Sequence, residues 1–211
     1  MTANATATTR IDILIFDGVD ELDAIAPYRV LKGARWAGAD FSVRLVTLRP
    51  ATTVTASAGL TVVPDGVLGD PALPDILIVP GGGWASRAEV GAWAEAQRGE
   101  IPAALAKAVA EAPAMTLATV CTGAMLAAYA GLTAGRRAIT HHAALADLAE
   151  KGTEVIPARV VDDGSLISAG GVTSGLDLAL WLVERFAGPD VALKVERTLE
   201  YERRGTVWQP S

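Results

Sequence analysis

The chain has 211 residues, of which 51% are hydrophobic and 20% charged, enough apolar content to bury a core and too much for a disordered chain. Lys and Arg total 18 against 24 Asp and Glu, a formal net charge of -6, which argues against a nucleic-acid partner because non-specific binding needs a basic face. A single cysteine, Cys121, excludes an internal disulfide and a multi-cysteine zinc site, and no apolar run reaches the roughly 18 residues of a membrane span.

Residues 1–10 (MTANATATTR) carry neither an apolar core nor a basic cluster, so they are expected to form a flexible tail rather than a secretory signal. The rest, 11–211, reads as one domain of a cytoplasmic protein, with no membrane partner. Ile11 to Phe16 is β-branched and apolar, a buried strand, and Asp17-Gly18 breaks it. Pro27 is expected to open a helix from Tyr28 to Trp36, leaving Asp23 in the turn beyond the strand. Phe41 to Leu48 is a second strand, and Val54 to Val63 a hairpin around Ser57-Ala58-Gly59. Asp75 to Val79 is another buried strand, closed by Pro80 and the glycines Gly81, Gly82 and Gly83. One amphipathic helix is expected within Trp93 to Glu111.

Met115 to Val120 then reads as a strand that runs through Cys121-Thr122-Gly123 into a small-residue helix, Ala124 to Ala130. A short strand, Ala138 to Thr140, precedes His141 and His142, and Ala143 to Glu150 is a helix. Val155 to Val161 and Leu166 to Ser168 flank a turn at Asp162-Asp163-Gly164. Thr173 or Ser174 caps the next helix, and Gly188-Pro189-Asp190 separates it from a last one reaching about Glu200. Strands alternate with helices throughout, which predicts an α/β fold with a mostly parallel sheet covered on both faces. Ligand sites in such sheets lie at the carboxyl ends of the strands.

Cys121 falls at such an end, where a strand turns directly into a helix. This is the nucleophile-elbow arrangement, and a helix N-terminus favours a thiolate. The plainer reading is a small core hydrophobe. The glycines at 81–83 could turn backbone N–H groups toward an anion or oxyanion, or simply meet the dihedral needs of a loop. They match neither the Rossmann fingerprint nor the P-loop. Asp23 is one of four acids in the first loop, most of which are expected to be solvated. Either histidine could reach a site at the sheet edge or be structural. Asp12, Asp147 and Asp177 read as structural, and no His/Asp/Glu cluster has metal-ligand spacing.

The pattern as a whole resembles the DJ-1/PfpI superfamily, and within it the isocyanide (isonitrile) hydratases. The matching stretches are Leu22-Asp23 with Ala26-Pro27, Ile78-Val79-Pro80-Gly81-Gly82, Val120-Cys121-Thr122-Gly123, Ala130-Gly131-Leu132 with Gly135-Arg136-Arg137-Ala138 and Thr140-His141, and Gly170-Gly171-Val172-Thr173 with Gly175 and Asp177. The resemblance implies a flavodoxin-like three-layer α/β/α sandwich, usually a homodimer, acting on a small molecule without a cofactor or metal. It implies Cys121 as nucleophile, Asp23 as the adjoining acid and Thr122 as a further catalytic group. Gly81, Gly82, Gly171, Val172 and His142 are then expected to line the substrate site. Aspartate at position 23 resembles the hydratases, where many relatives carry glutamate. Thr122 stands where protease-like branches place a histidine. His142 departs from the hydratase pattern, which has an aromatic residue there. The implied reaction is a cysteine-dependent lyase step that hydrates an isocyanide to an N-substituted formamide. The alternatives are the same pair acting on an aldehyde or a natural product, or a non-enzymatic sensor of a ligand or oxidant.

Overall fold

The computed structural model describes residues 8–210. Most of the expected tail therefore lies outside the described residues, but its last two residues already belong to strand β1 (Thr9–Leu14). Helix α1 (Glu21–Ala37) begins well before Pro27. Asp20 makes this possible as N-cap, its carboxylate accepting the Leu22 N–H at 3.0 Å. Pro27 sits inside the helix, where it deprives only the Asp23 carbonyl of a donor. Asp23 thus belongs to the first turn of α1 rather than to a loop.

Strand β1 pairs in parallel with β2 (Phe41–Thr47) on one side and β6 (Ile76–Val79) on the other. Between β2 and β6 the chain makes the expected hairpin, β3 (Val54–Thr55) with β4 (Thr61–Val62). It then adds an edge strand too short to show as a pattern, β5 (Gly66–Val67). The single helix expected next is two, α2 (Ala92–Arg98) and α3 (Glu100–Glu111), divided at Gly99, whose φ is +78°. Beyond them come β7 (Thr116–Val120), α4 (Gly123–Tyr129) and β8 (Arg137–Ala138). A 3-10 turn (His142–Ala144) leads into α5 (Leu145–Glu150) and β9 (Glu154–Val155). The hairpin β10 (Val160–Asp163) and β11 (Leu166–Ala169) precedes the last helices, α6 (Ser174–Ala187) and α7 (Pro189–Leu199).

The main sheet runs β10-β11-β7-β6-β1-β2-β5, and only the β10–β11 pair is antiparallel. Helices α1, α6 and α7 pack together, as do α2, α3 and α4, giving the three-layer α/β/α sandwich. The central strand β6 is wholly apolar because both faces are covered: every residue of Ile76–Val79 is fully buried, each contributing about 1.5–3 kcal/mol. Asp12 is the buried charge of β1. It is matched by a bidentate contact from Arg44 of β2, at 2.9 and 2.7 Å. Among the described residues no helix is long and apolar enough to cross a membrane.

Candidate active site

The carboxyl ends of β1, β6, β7 and β11 converge on Cys121. At the end of β7 the chain turns sharply, and Cys121 takes a left-handed φ of +55°, a conformation that costs about 1–2 kcal/mol for a residue with a Cβ. Two buried hydrogen bonds hold it there. Its N–H donates to the Ala169 carbonyl at 3.0 Å, and its carbonyl accepts the Thr140 hydroxyl at 2.8 Å. The next turn begins α4 hard against β6. A Cβ on Gly123 would lie 1.9 Å from the Val79 carbonyl oxygen, so glycine is the residue that lets the elbow close.

Asp23 approaches from α1 and has no exposed surface. Its Oδ2 accepts the Gly81 N–H at 3.0 Å, while Oδ1 is buried without a well-formed partner. Gly82 N–H donates to the Thr122 hydroxyl oxygen at 3.0 Å. The glycine-loop amides at 81 and 82 are therefore spent on Asp23 and Thr122 and do not face a ligand, contrary to the anion-cradle expectation. Glycine is required at 81 because a Cβ there would meet the Thr122 hydroxyl at 2.4 Å.

Burial and neighbouring charge set the ionisation of the pair. Burial, reinforced by Asp20, pushes the Asp23 carboxyl up to about 8, against its ordinary 3.8. The Gly81 hydrogen bond and the neighbouring Cys121 thiol pull the other way. Burial also pushes the Cys121 thiol up, and Asp23 pushes it further. The opposing hydrogen bonds from the Thr122 and Val172 backbones, and the start of α4, do not overcome this. The position at a helix N-terminus leads one to expect a favoured thiolate, and burial works against that expectation. Cys121 is only 6% exposed, and desolvation, outweighing the helix N-terminus, raises its pKa.

Above Cys121 lies a cavity of about 230 Å³. Of the residues expected there, Gly82 and Val172 line it and Gly81 does not; Thr122 lines it as well. Trp84, Ala85, Ser86, Asp20 and His141 line it too. Gly171 does not, although its Cα side lies against the His141 ring. Nor does His142, which faces a separate hollow with Thr140, Arg159 and Gly171 and meets His141 at 4.1 Å between ring centroids. The register of the 3-10 turn decides between the two histidines, and sequence does not carry that register. His141 Nδ1 accepts the Ala143 N–H at 3.2 Å, which leaves the proton of the neutral ring on Nε2. Burial, then His142, hold the His141 pKa below its ordinary 6.5, with Asp20 opposing. Trp84 escapes a reading of the sequence because a tryptophan after a glycine run carries no motif. Its indole N–H donates to Asp147 at 2.7 Å, so Asp147 does have a structural task.

Comparison with known proteins follows the same lines. The DJ-1/PfpI family pattern matches residues 9–185. The chain belongs to the DJ-1/PfpI family. It is 36% identical over 192 residues to the isonitrile hydratase of Pseudomonas putida, covering 91% of this chain and 78% of that protein. Among solved structures it is similar to a ThiJ/PfpI family protein from Pseudomonas syringae. The TM-score is 0.80 at 28% identity, over 96% of this chain and 80% of the other. It also superposes on Drosophila melanogaster DJ-1beta with a TM-score of 0.78 over 93% of this chain and all of the other, at 19% identity, a likeness of fold.

Proposed function

We propose that this DJ-1/PfpI domain is a cofactor-independent lyase that hydrates an isocyanide, R–N≡C, to the formamide R–NH–CHO. The observation that carries the reading is the neutral pair, Cys121 on its elbow with Asp23 buried beside it. An isocyanide carbon must gain both a nucleophile and a proton. A thiol beside a protonated carboxyl supplies both. The Cys121 sulfur bonds to the isocyanide carbon. Asp23 gives its proton to that carbon and takes the thiol proton, and the product is the thioimidate R–N=CH–S. Water then adds its oxygen to the same carbon and a proton to the nitrogen. The C–S bond breaks, the hydroxyl proton returns to sulfur, and the formamide leaves. Thr122 acts by locking the glycine loop to the elbow.

The lining favours a neutral substrate. Among the described residues that line the cavity there is no Lys or Arg, and Asp20 contributes a carboxylate. A substrate bearing its own carboxylate would meet repulsion with no compensating cation, which disfavours oxoacid-type aldehydes. Rapid peroxide sensing is disfavoured as well, because it needs an exposed thiolate. In this reading the protein works as a cytoplasmic homodimer, and sedimentation reads the assembly state. The test of the activity is incubation with cyclohexyl isocyanide, following formamide by infrared absorption and the protein by intact mass. Formamide from the wild type and none from Cys121→Ser is the expected result. No formamide and no Cys121 adduct across alkyl and aryl isocyanides overturns the reading.

A further inference from the structure

Between β11 and α6 the chain passes beside the elbow as residues 170–173, and this crossing carries Val172. Val172 lines the cavity with Cys121, and its backbone N–H is one of two, with that of Thr122, that favour charge on the sulfur. Thr122 is tied to the glycine loop by the Gly82 N–H, but the crossing has no such tie to the elbow. Apart from Val172 at the sulfur, and among the described residues, the crossing makes two hydrogen bonds outside its own turn, and Arg159 makes both. The Arg159 carbonyl accepts the Gly170 N–H at 3.0 Å, and the guanidinium donates from Nη2 to the Thr173 hydroxyl oxygen at 3.3 Å. Thr173 stands at the N-cap of α6 but makes no side-chain cap there, so its hydroxyl serves this contact instead of the helix.

Arg159 is itself held at its far end. Asp177, in the first turn of α6 and 3% exposed, accepts Arg159 Nε at 3.0 Å and Nη2 at 2.6 Å on Oδ2. The same oxygen accepts the Tyr201 hydroxyl at 3.0 Å, and Oδ1 accepts the Arg204 N–H at 2.7 Å, so the carboxylate is fixed from both sides. A guanidinium serves Asp177 and Thr173 at once because its donors are rigidly spaced, which a single ammonium does not match. Arg159 lines a neighbouring hollow and not the cavity above Cys121, so it acts through the crossing rather than on a substrate. We infer that Arg159 is a positioning residue of this site: anchored on Asp177, it holds the crossing at both ends, Gly170 by its carbonyl and Thr173 by its guanidinium, and so keeps the Val172 N–H at the Cys121 sulfur while the thiol proton leaves. The inference rests on the hydratase reading for the reaction and adds a residue that works from outside the cavity.

The test removes one hydroxyl. Thr173→Val deletes the acceptor of the Arg159 contact without deleting a helix cap, and Thr173→Ser keeps it. Thr173→Val should lower kcat for cyclohexyl isocyanide about tenfold with KM unchanged, a fraction of what a misplacement of about 1 Å costs at a reacting group. Thr173→Ser restores the rate, and Arg159→Lys behaves as Thr173→Val does. The rate of Cys121 alkylation by iodoacetamide at pH 8, which needs no hydratase activity, should fall by a similar factor because less of the sulfur is charged. Thr153→Val is the matched control: it deletes a buried hydroxyl that donates to Thr133 at 2.7 Å, and it lowers the thermal midpoint but neither rate. In Thr173→Val, an unchanged kcat, an unchanged alkylation rate, or one that rises because the crossing merely shields the sulfur overturns the inference while the hydratase reading stands. Equal losses in Thr153→Val overturn it as well, since the effect is then one of stability. If the wild type hydrates no isocyanide, the hydratase reading falls instead, and alkylation alone decides the inference.

Discussion

Replacing Asp23 with Asn should abolish activity and stabilise the fold, increasingly so as pH rises. The carboxyl is fully buried and held at about 8 against an ordinary 3.8. Below about pH 4 the folded and unfolded chains both carry the proton. Between there and pH 8 the unfolded chain has lost it while the folded one keeps it, so stability falls as pH rises through that window and levels off above it. The slope is at most about 1.4 kcal/mol per pH unit, and the full span corresponds to roughly 6 kcal/mol. Relaxation around a buried charge, with an effective dielectric nearer 20 than 4, reduces the expectation to about 3 kcal/mol. Asn keeps an oxygen for the Gly81 N–H and has no proton to lose. The stability difference between variant and wild type should therefore widen by about 2 kcal/mol between pH 5 and pH 8. Urea unfolding followed by circular dichroism measures it, and groups titrating alike in both proteins cancel. A difference that stays constant within about 0.5 kcal/mol would show that Asp23 is ionised in the folded state, and the acid role would fall with it.

In the wild type, kcat/KM should hold steady through neutrality and decline as pH passes about 8, because the proton that Asp23 donates is lost there; the apparent value belongs to the Asp23–Cys121 pair. A profile that instead rises through that range would indicate a thiolate mechanism. Gly123→Ala places a methyl 1.9 Å from the Val79 carbonyl oxygen, backbone that cannot yield, and should cost more than about 3 kcal/mol or prevent soluble expression. Thr140→Val removes the hydroxyl held by the Cys121 carbonyl, leaving a buried acceptor unpaired. It should cost on the order of 2 kcal/mol, read as a fall in thermal midpoint, and lower kcat with little change in KM.

The legible parts of this molecule are those in which local pattern and tertiary role coincide. The strands around Ile13, Ile78 and Ala118 are buried and mostly apolar because the sheet is covered on both faces, so they show as short apolar runs. The elbow at Cys121 is legible because a strand, a single reactive side chain and Gly123 follow one another in sequence. Helix α1 was harder to place: Pro27 points to a later start, and only the Asp20 cap, a side-chain hydrogen bond, explains the earlier one. The glycines at 81 and 82 are visible as a loop, but their N–H groups turn toward Asp23 and Thr122, which only packing decides. His141 and His142 differ by one residue and face different hollows. Trp84 and Asp147 lie 63 positions apart, and no local rule joins them.

The neutral resting state of the pair bears on why such a site would bury its nucleophile. An exposed thiolate attacks readily but is also oxidised readily, and a thiolate beside a carboxylate leaves no proton for the carbon of a neutral, weakly electrophilic substrate. Burial reverses both. In the proposed reaction it holds the Asp23 proton toward neutral pH and keeps sulfur as the thiol. The cost is carried by the fold: an acid without exposed surface and a cysteine in left-handed backbone both oppose folding. They persist because the elbow is over-determined by Ala169, Thr140 and the glycine at 123. Relieving either strain should therefore give a more stable and less active protein, with Asp23→Asn the cleaner case because its gain depends on pH and a packing effect would not.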